Sequence, residues 1–402
     1  MQKIIDYLEQ NWDSCIRENR VDEDTLIGLP YPYTVPSPER FNEIYYWDTY
    51  FTNLGLLKSG RATLAKHNTD NMLYLVDKYG FMPNGNRTFY LNRSQPPFLS
   101  EMVRDIYDYY NDNTWLCGAY LTLKKEYDFW TTERITPIGL CRYDGNQTEE
   151  QAKQTKKDFL ERVPVSEKDI DGVDIARHST CSCESGWDMN PRWNFEGYNF
   201  APVDLNSLLY LFEKNMAYFA EKLSSGENEL WESRAEKRLE IMNKHMINTD
   251  NLFLDYNFEK DILSKIFSAA SLYPLYANLA TEEQAKAAVD NLHRLESNYG
   301  ILTCEENISD ITYQWDYPNG WACLQYIAIA GLLNYGYIDD ARRIAKKYTE
   351  LVEKVFDETG NLWEKYNVVD GNINVSNEYK MPPMMGWSAG VYIASKKILE
   401  EL

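Results

Sequence analysis

Apolar residues recur at helical spacing along most of the chain. Ala341, Ile344, Ala345, Tyr348, Leu351, Val352 and Val355 fall three and four positions apart and therefore share one helix face. Asp339, just ahead of them, is a candidate cap. Leu205, Leu208, Leu209, Phe212, Met216, Phe219 and Leu223 form a second stripe over 204–223, with Asp204 as its candidate cap. Weaker stripes predict helices over 3–17, 61–77, 114–130, 228–246, 264–278, 282–296 and 384–399. The run from Trp321 to Leu333 is almost wholly apolar, too short to span a bilayer, and reads as a buried core helix.

Short segments rich in Gly, Pro and Asn separate the helices: 80–87, 94–97, 184–203, 298–320, 359–374 and 377–386. Strand-like alternation is brief, as at Thr88–Leu91 and Leu252–Tyr256. Residues 144–170, rich in Gln, Glu and Lys, read as a solvated helix or an excursion. No Pro/Ser-rich linker divides the 402 residues. The pattern predicts an all-α protein of about a dozen helices.

Composition narrows the function. Acidic residues outnumber basic ones 62 to 41, a net charge of −21, which argues against nucleic acid or an anionic membrane as the main partner. A hydrophobic fraction of 44% excludes a disordered chain. The first twenty residues carry charges throughout and no apolar run of signal length, and the seven cysteines are scattered. Those two features lead to an expectation of free thiols in a reducing cytoplasm. The four histidines show no HExxH spacing, and His178 with Cys181 and Cys183 makes only a single C-x-C. No P-loop and no G-x-S-x-G elbow is present. Neither a metal nor a cofactor is expected.

Seven of the eleven tryptophans fall in or beside the predicted loops: Trp47, Trp187, Trp193, Trp315, Trp321, Trp363 and Trp387. Four have a carboxylate as the next residue: Trp47-Asp48, Trp187-Asp188, Trp315-Asp316 and Trp363-Glu364. An indole face beside a hydroxyl-accepting carboxylate suits a sugar subsite. One such pair is better explained as aromatic packing beside a helix-capping acid, but four in loops reverse that preference and favour a sugar pocket.

The segments that carry these pairs resemble the trehalase family, glycoside hydrolase family 37. The matching stretches are PERFNEIYYWDTY (38–50), FMPNGNRTFYLNRSQPP (81–97), ESGWDMNPRW (184–193), PVDLNSLL (202–209), QWDYPNGW (314–321) and WEKYNV (363–368). EYKMPPMMGWSAG (378–390) is a looser match. The resemblance implies an (α/α)6 barrel, or toroid, with the active site in loops at one end, and residues 1–402 as one catalytic domain. It implies an inverting α-glycoside hydrolase, most simply an α,α-trehalase, with Asp188 as general acid and Glu364 as general base. Inversion needs room for a water between the carboxyl groups, about 6.5–9.5 Å. By position, Arg40, Phe41, Trp47, Asp48, Asn84, Arg93, Gln95, Trp315 and Glu378 are carried over as substrate-binding residues. The partner implied is a small sugar.

The chain departs from the family pattern at specific places. Pro38-Glu39 stand where two glycines are usual before the Arg-Phe of the first signature. No Arg-Pro-Glu-Ser stretch precedes ESGWD, and Cys323 replaces a proline. These changes leave room for a different leaving group. They keep open a related α-glucosidase, or a glucosyl- or mannosylglycerate hydrolase of the kindred glycoside hydrolase family 63. A non-catalytic sugar-binding barrel is the alternative outside enzymes.

Overall fold

The computed structural model describes residues 2–402 apart from 167, 169, 308–310, 312, 376–378 and 384–385. In chain order the helices are α1 (Gln2–Asn11), α2 (Tyr46–Lys58), α3 (Ala62–Tyr79), α4 (Leu99–Tyr110), α5 (Asn113–Glu133), α6 (Glu149–Arg162) and α7 (Ile175–Ser185). They continue as α8 (Val203–Lys222), α9 (Asn228–His245), α10 (Tyr273–Tyr276), α11 (Glu282–Asp290), α12 (Ala322–Asn334), α13 (Ile338–Thr359) and α14 (Gly386–Glu401).

Six of them close a ring: α2 touches α4, α4 touches α8, then α8 meets α10, α10 meets α12, α12 meets α14, and α14 returns to α2. A second layer lies outside. α3 covers α2 and α4, α5 covers α4 and α8, α9 covers α8, and α13 covers α12 and α14. α1 joins this layer against α13, where Tyr7 meets Phe356 edge-on at 5.2 Å. Alternation of inner and outer helices around one axis is the (α/α)6 toroid. The pair α6 and α7 packs together as an insertion between α5 and α8.

Burial explains which helices the sequence revealed. Outer helix α13 has a wet face and hence a visible stripe, observed over Ile338–Thr359. α2 is buried from Tyr46 to Leu56 on every side, so it carries no stripe, and Trp47, expected in a loop, sits in its first turn. Residues 144–170 contain the solvated helix α6, capped by Thr148 and Gln151 in a reciprocal box. The helix expected over 264–278 is instead a single turn at Tyr273–Tyr276 after a 3-10 turn at Ala269–Leu272. Its first half is extended, because Ser268 bridges to Cys304 and the Ala269 amide donates to the Thr303 carbonyl. The short run at Thr88–Leu91, expected as a strand, holds a 3-10 turn at Thr88–Tyr90. Neither expected cap residue caps. Asp204 and Asp339 lie inside the first turns of α8 and α13, and Asp204 is bonded to an arginine instead.

Candidate active site

The N-terminal ends of the inner helices gather at one end of the ring. Asp48 is in the first turn of α2, Gln95 just precedes α4, Trp321 opens α12 and Trp387 opens α14. With the loop after α7 and residues 314–315, they surround a cavity of about 480 Å³, part of it open to solvent. Its lining includes Phe41, Tyr45, Trp47, Asp48, Gln95, Asp188, Gln314, Trp315, Trp321, Glu364, Tyr379 and Trp387. Aromatic walls with a few convergent polar groups are the expected make-up of a small-molecule site.

Asp188 is aimed by Gly186. This residue ends α7 in the left-handed region, at φ +73°, and a Cβ there would lie 2.6 Å from the Trp47 indole. Only glycine permits both the turn and that approach. The loop beyond is clamped by Arg192. Its guanidinium donates to Asp255 through Nε and Nη2, each at 2.9 Å, and to Asp204 at 2.6 Å, while lying 4.4 Å over the Trp187 ring. Glu184, four residues before Asp188, is another clamp. It receives the Ser94 amide at 2.8 Å, the Asp144 amide at 2.7 Å and two bonds from Arg134 at 2.9 Å.

Glu364 lies where a short antiparallel ribbon pins Lys365 opposite Trp321. Lys365 Nζ donates to Glu364 Oε2 at 2.9 Å, and the Tyr379 hydroxyl donates to Oε1 at 2.6 Å. Asp188 has no ion pair among the described residues and is pushed up to about 6, chiefly by burial. Arg93 and Arg162 pull it down and Glu364 pushes it up. Asp48 is pushed up to about 7, again chiefly by burial, with Glu364 and Asp188 adding to the effect. Three carboxyl groups thus share one partly desolvated space, the setting in which one stays protonated beside another that does not.

The carried-over residues divide. Phe41, Trp47, Asp48, Gln95, Trp315, Asp188 and Glu364 line the cavity together. Arg40 is exposed and stacks 4.4 Å over the Tyr379 ring, one residue removed from the lining. Arg93 is also outside the lining, but its charge acts on Asp188 and its Nε is buried without a partner. Asn84 is buried and its backbone ties Arg93 to Tyr46. Glu378 lies outside the described residues.

The indole–carboxylate pairs need correction. Asp316 accepts from the Asn307 amide at 3.1 Å and from the Tyr317 backbone at 2.8 Å, and does not line the cavity. Trp187 and Trp363 do not line it either. Trp315 is stacked on Trp321 at 3.8 Å and 3°, and against Trp187 at 5.4 Å, so ring faces expected to meet sugar are covered by other indoles. Tyr45, Gln314, Trp321, Lys365, Tyr379 and Trp387 were not anticipated as site residues. All six lie inside the quoted motifs, which held the signal. Among the described residues no group of three His, Cys, Asp or Glu side chains could hold a metal ion. His178 is instead a core residue, pushed down to about 3 by burial and accepting from the Gly197 amide at 3.2 Å. No helix among the described residues is long and apolar enough to cross a membrane.

Known proteins resemble this chain in sequence and fold. The model of the family "Trehalase" matches residues 1–400. A periplasmic trehalase of Xanthomonas axonopodis pv. citri is 34% identical over 412 residues, covering 96% of this chain and 72% of its own. A second, from Xanthomonas oryzae pv. oryzae, is 34% identical with the same coverage. Among solved structures, a neutral trehalase from Saccharomyces cerevisiae superposes with a TM-score of 0.78 at 32% identity, over 92% of this chain and 74% of that one. A family 63 mannosylglycerate hydrolase from Thermus thermophilus gives 0.65 at 17% identity, over 98% of each chain, a likeness of fold alone. The periplasmic relatives overturn the cytoplasmic location expected from the N-terminus and the unpaired cysteines. Unpaired thiols are a poor guide to compartment here, because Cys15, Cys141, Cys181, Cys304 and Cys323 are buried. With the family model matched along nearly the whole chain and relatives a third identical over most of its length, the chain belongs to the trehalase family of glycoside hydrolases.

Proposed function

We propose that this pocket hydrolyses α,α-trehalose with inversion, in a single catalytic domain formed by residues 1–402. The observation that carries the reading is the contrast between two carboxyl groups on one cavity. Asp188 is pushed up to about 6 and makes no ion pair with a described residue, which suits a proton donor. Glu364 accepts from an ammonium and a phenol, which suits a carboxylate that takes a proton from water. In the reaction, Glu364 removes a proton from water as its oxygen bonds to the anomeric carbon. The bond to the bridging oxygen breaks, its electron pair stays on that oxygen, and Asp188 supplies the proton.

Asp48, Gln95, Trp47, Phe41 and Trp315 hold the cleaved glucose from the cavity wall. Arg40, Asn84, Arg93 and Glu378 complete the binding set in this reading. By the same likeness to named relatives, the compartment inferred is the periplasm.

Proton NMR in the first minutes of hydrolysis tests the mechanism. Trehalose is expected to give one β-glucose, from the attacked ring, for each α-glucose released. Early release of α-glucose alone would mean retention and remove Glu364 from the base role. A panel with kojibiose, nigerose, maltose, isomaltose and glucosylglycerate fixes the leaving group, with trehalose expected to be turned over fastest. Tight binding of trehalose with no turnover of any of them would make the chain a sugar-binding barrel.

A further inference from the structure

We infer that Lys365 is a positioning residue for hydrolysis: its ammonium, buried between Trp321 and Tyr379, pairs with the Glu364 carboxylate and keeps it turned toward the cavity. This rests on the reading of Glu364 as the base.

The side chain of Lys365 is wholly buried. A buried ammonium left unanswered is strongly unfavourable, so its partners are informative. They are Glu364 Oε2 at 2.9 Å and Gln314 Oε1 at 3.3 Å. The charge also lies 4.7 Å from the Trp321 ring centre and 5.3 Å from that of Tyr379. Both rings present a face that attracts a cation. Ribbon pairing with Trp321 fixes the backbone at the mouth of α12, so the ammonium has one carboxylate within reach among the described residues.

The charges around Glu364 make that contact consequential. Asp188 and Asp48 act on the same space, and like charges favour protonating one another. Arg40 lies on the Tyr379 ring rather than on Glu364. The Tyr379 phenol donates to Oε1 but brings no positive charge. Among the described residues, Lys365 is therefore the cation in contact with Glu364. With one donor on each oxygen, lone pairs remain for a water in the cavity.

Kinetics against pH on trehalose test the inference. Lys365→Met is expected to lower kcat about 100-fold with KM within about threefold, and to move the acidic limb of kcat/KM up by about one pH unit. Lys365→Arg keeps the charge and is expected to leave that limb in place. In the Glu364→Gln background, Lys365→Met is expected to slow the residual rate no further, since it acts through that carboxylate. An unmoved limb, or a full additional loss in the double variant, would overturn the inference and make Lys365 a packing residue. If Lys365→Met does not fold, Lys365→Gln is read in the same way. Glu364→Gln alone separates the two levels: a rate within tenfold of wild type would overturn the base assignment itself, whatever Lys365 does.

Discussion

Two sets of buried carboxylates sit within one ring of helices, and they are treated in opposite ways. In the wall, Asp204, Asp255, Glu213 and Glu184 have their oxygens committed. Arg192 binds the first two, Arg238 binds Glu213 with contacts of 2.8–3.1 Å, and Arg134 binds Glu184. Backbone amides and side chains take up remaining acceptor positions: Val203 and Trp193 on Asp255, Tyr127 on Glu213, Ser94 and Asp144 on Glu184. At the cavity, among the described residues, Asp188 and Asp48 have no arginine bound, and Glu364 has one donor on each oxygen. A carboxylate saturated by protein donors is a tie between segments. One that keeps lone pairs facing a cavity is available to substrate. Glu184 and Asp188, four residues apart in one motif, fall on opposite sides of that divide.

The largest expected effects test the cavity side. Asp188→Asn and Glu364→Gln should each lower kcat by about 10³-fold or more, because each removes a proton donor or acceptor used in the transition state. Melting temperature should change little in either. A substantial rate in a folded variant would move that residue to the structural set. The wild-type profile carries the same information. Asp188 must be protonated to act, and its carboxyl is pushed up to about 6, so kcat/KM should fall as pH rises through about 6. In Asp188→Asn any residual rate should lose that basic limb.

The wall side should fail in the other direction. Arg192→Met leaves Asp204 and Asp255 buried without their cation, and breaking such a cluster costs about 3–5 kcal/mol. Urea unfolding should show a loss of that order. A loss below about 1 kcal/mol would mean that the clamp is not what holds residues 187–193.

Legibility followed the same divide. Motif order gave the ring, the two candidate catalytic carboxylates and half of the lining, since those residues serve a shared chemistry. Neighbourhood in sequence did not reveal direction. Trp315-Asp316 looked like Trp47-Asp48, yet Asp316 turns back onto its own loop while Asp48 faces the cavity. Asp204 had the spacing of a cap, but its partner is an arginine twelve residues upstream that no local rule names. α2 went unseen because a helix buried on all sides leaves no amphipathic trace.

A smaller effect sharpens the comparison from a third kind of buried acid, one away from the cavity and without a cation among the described residues. Glu126 on α5 is fully buried, accepts from the Tyr46 hydroxyl through Oε1, and leaves Oε2 unpartnered. Burial pushes it up to about 8 from an ordinary 4.5, so it is neutral in the folded protein at neutral pH. The sign follows from linkage. The folded state holds this proton more tightly than the unfolded chain, so the stabilisation is fully present below about pH 4.5 and is lost as pH rises to about 8. Glu126→Gln carries no proton to lose and keeps an oxygen for Tyr46. The melting temperature of the variant should therefore rise relative to wild type as pH goes from 5 to 8, by a few degrees at most, with kcat on trehalose unchanged. A difference flat with pH would mean that Glu126 is ionised and has a cationic partner, which would move it into the arginine-clamped set.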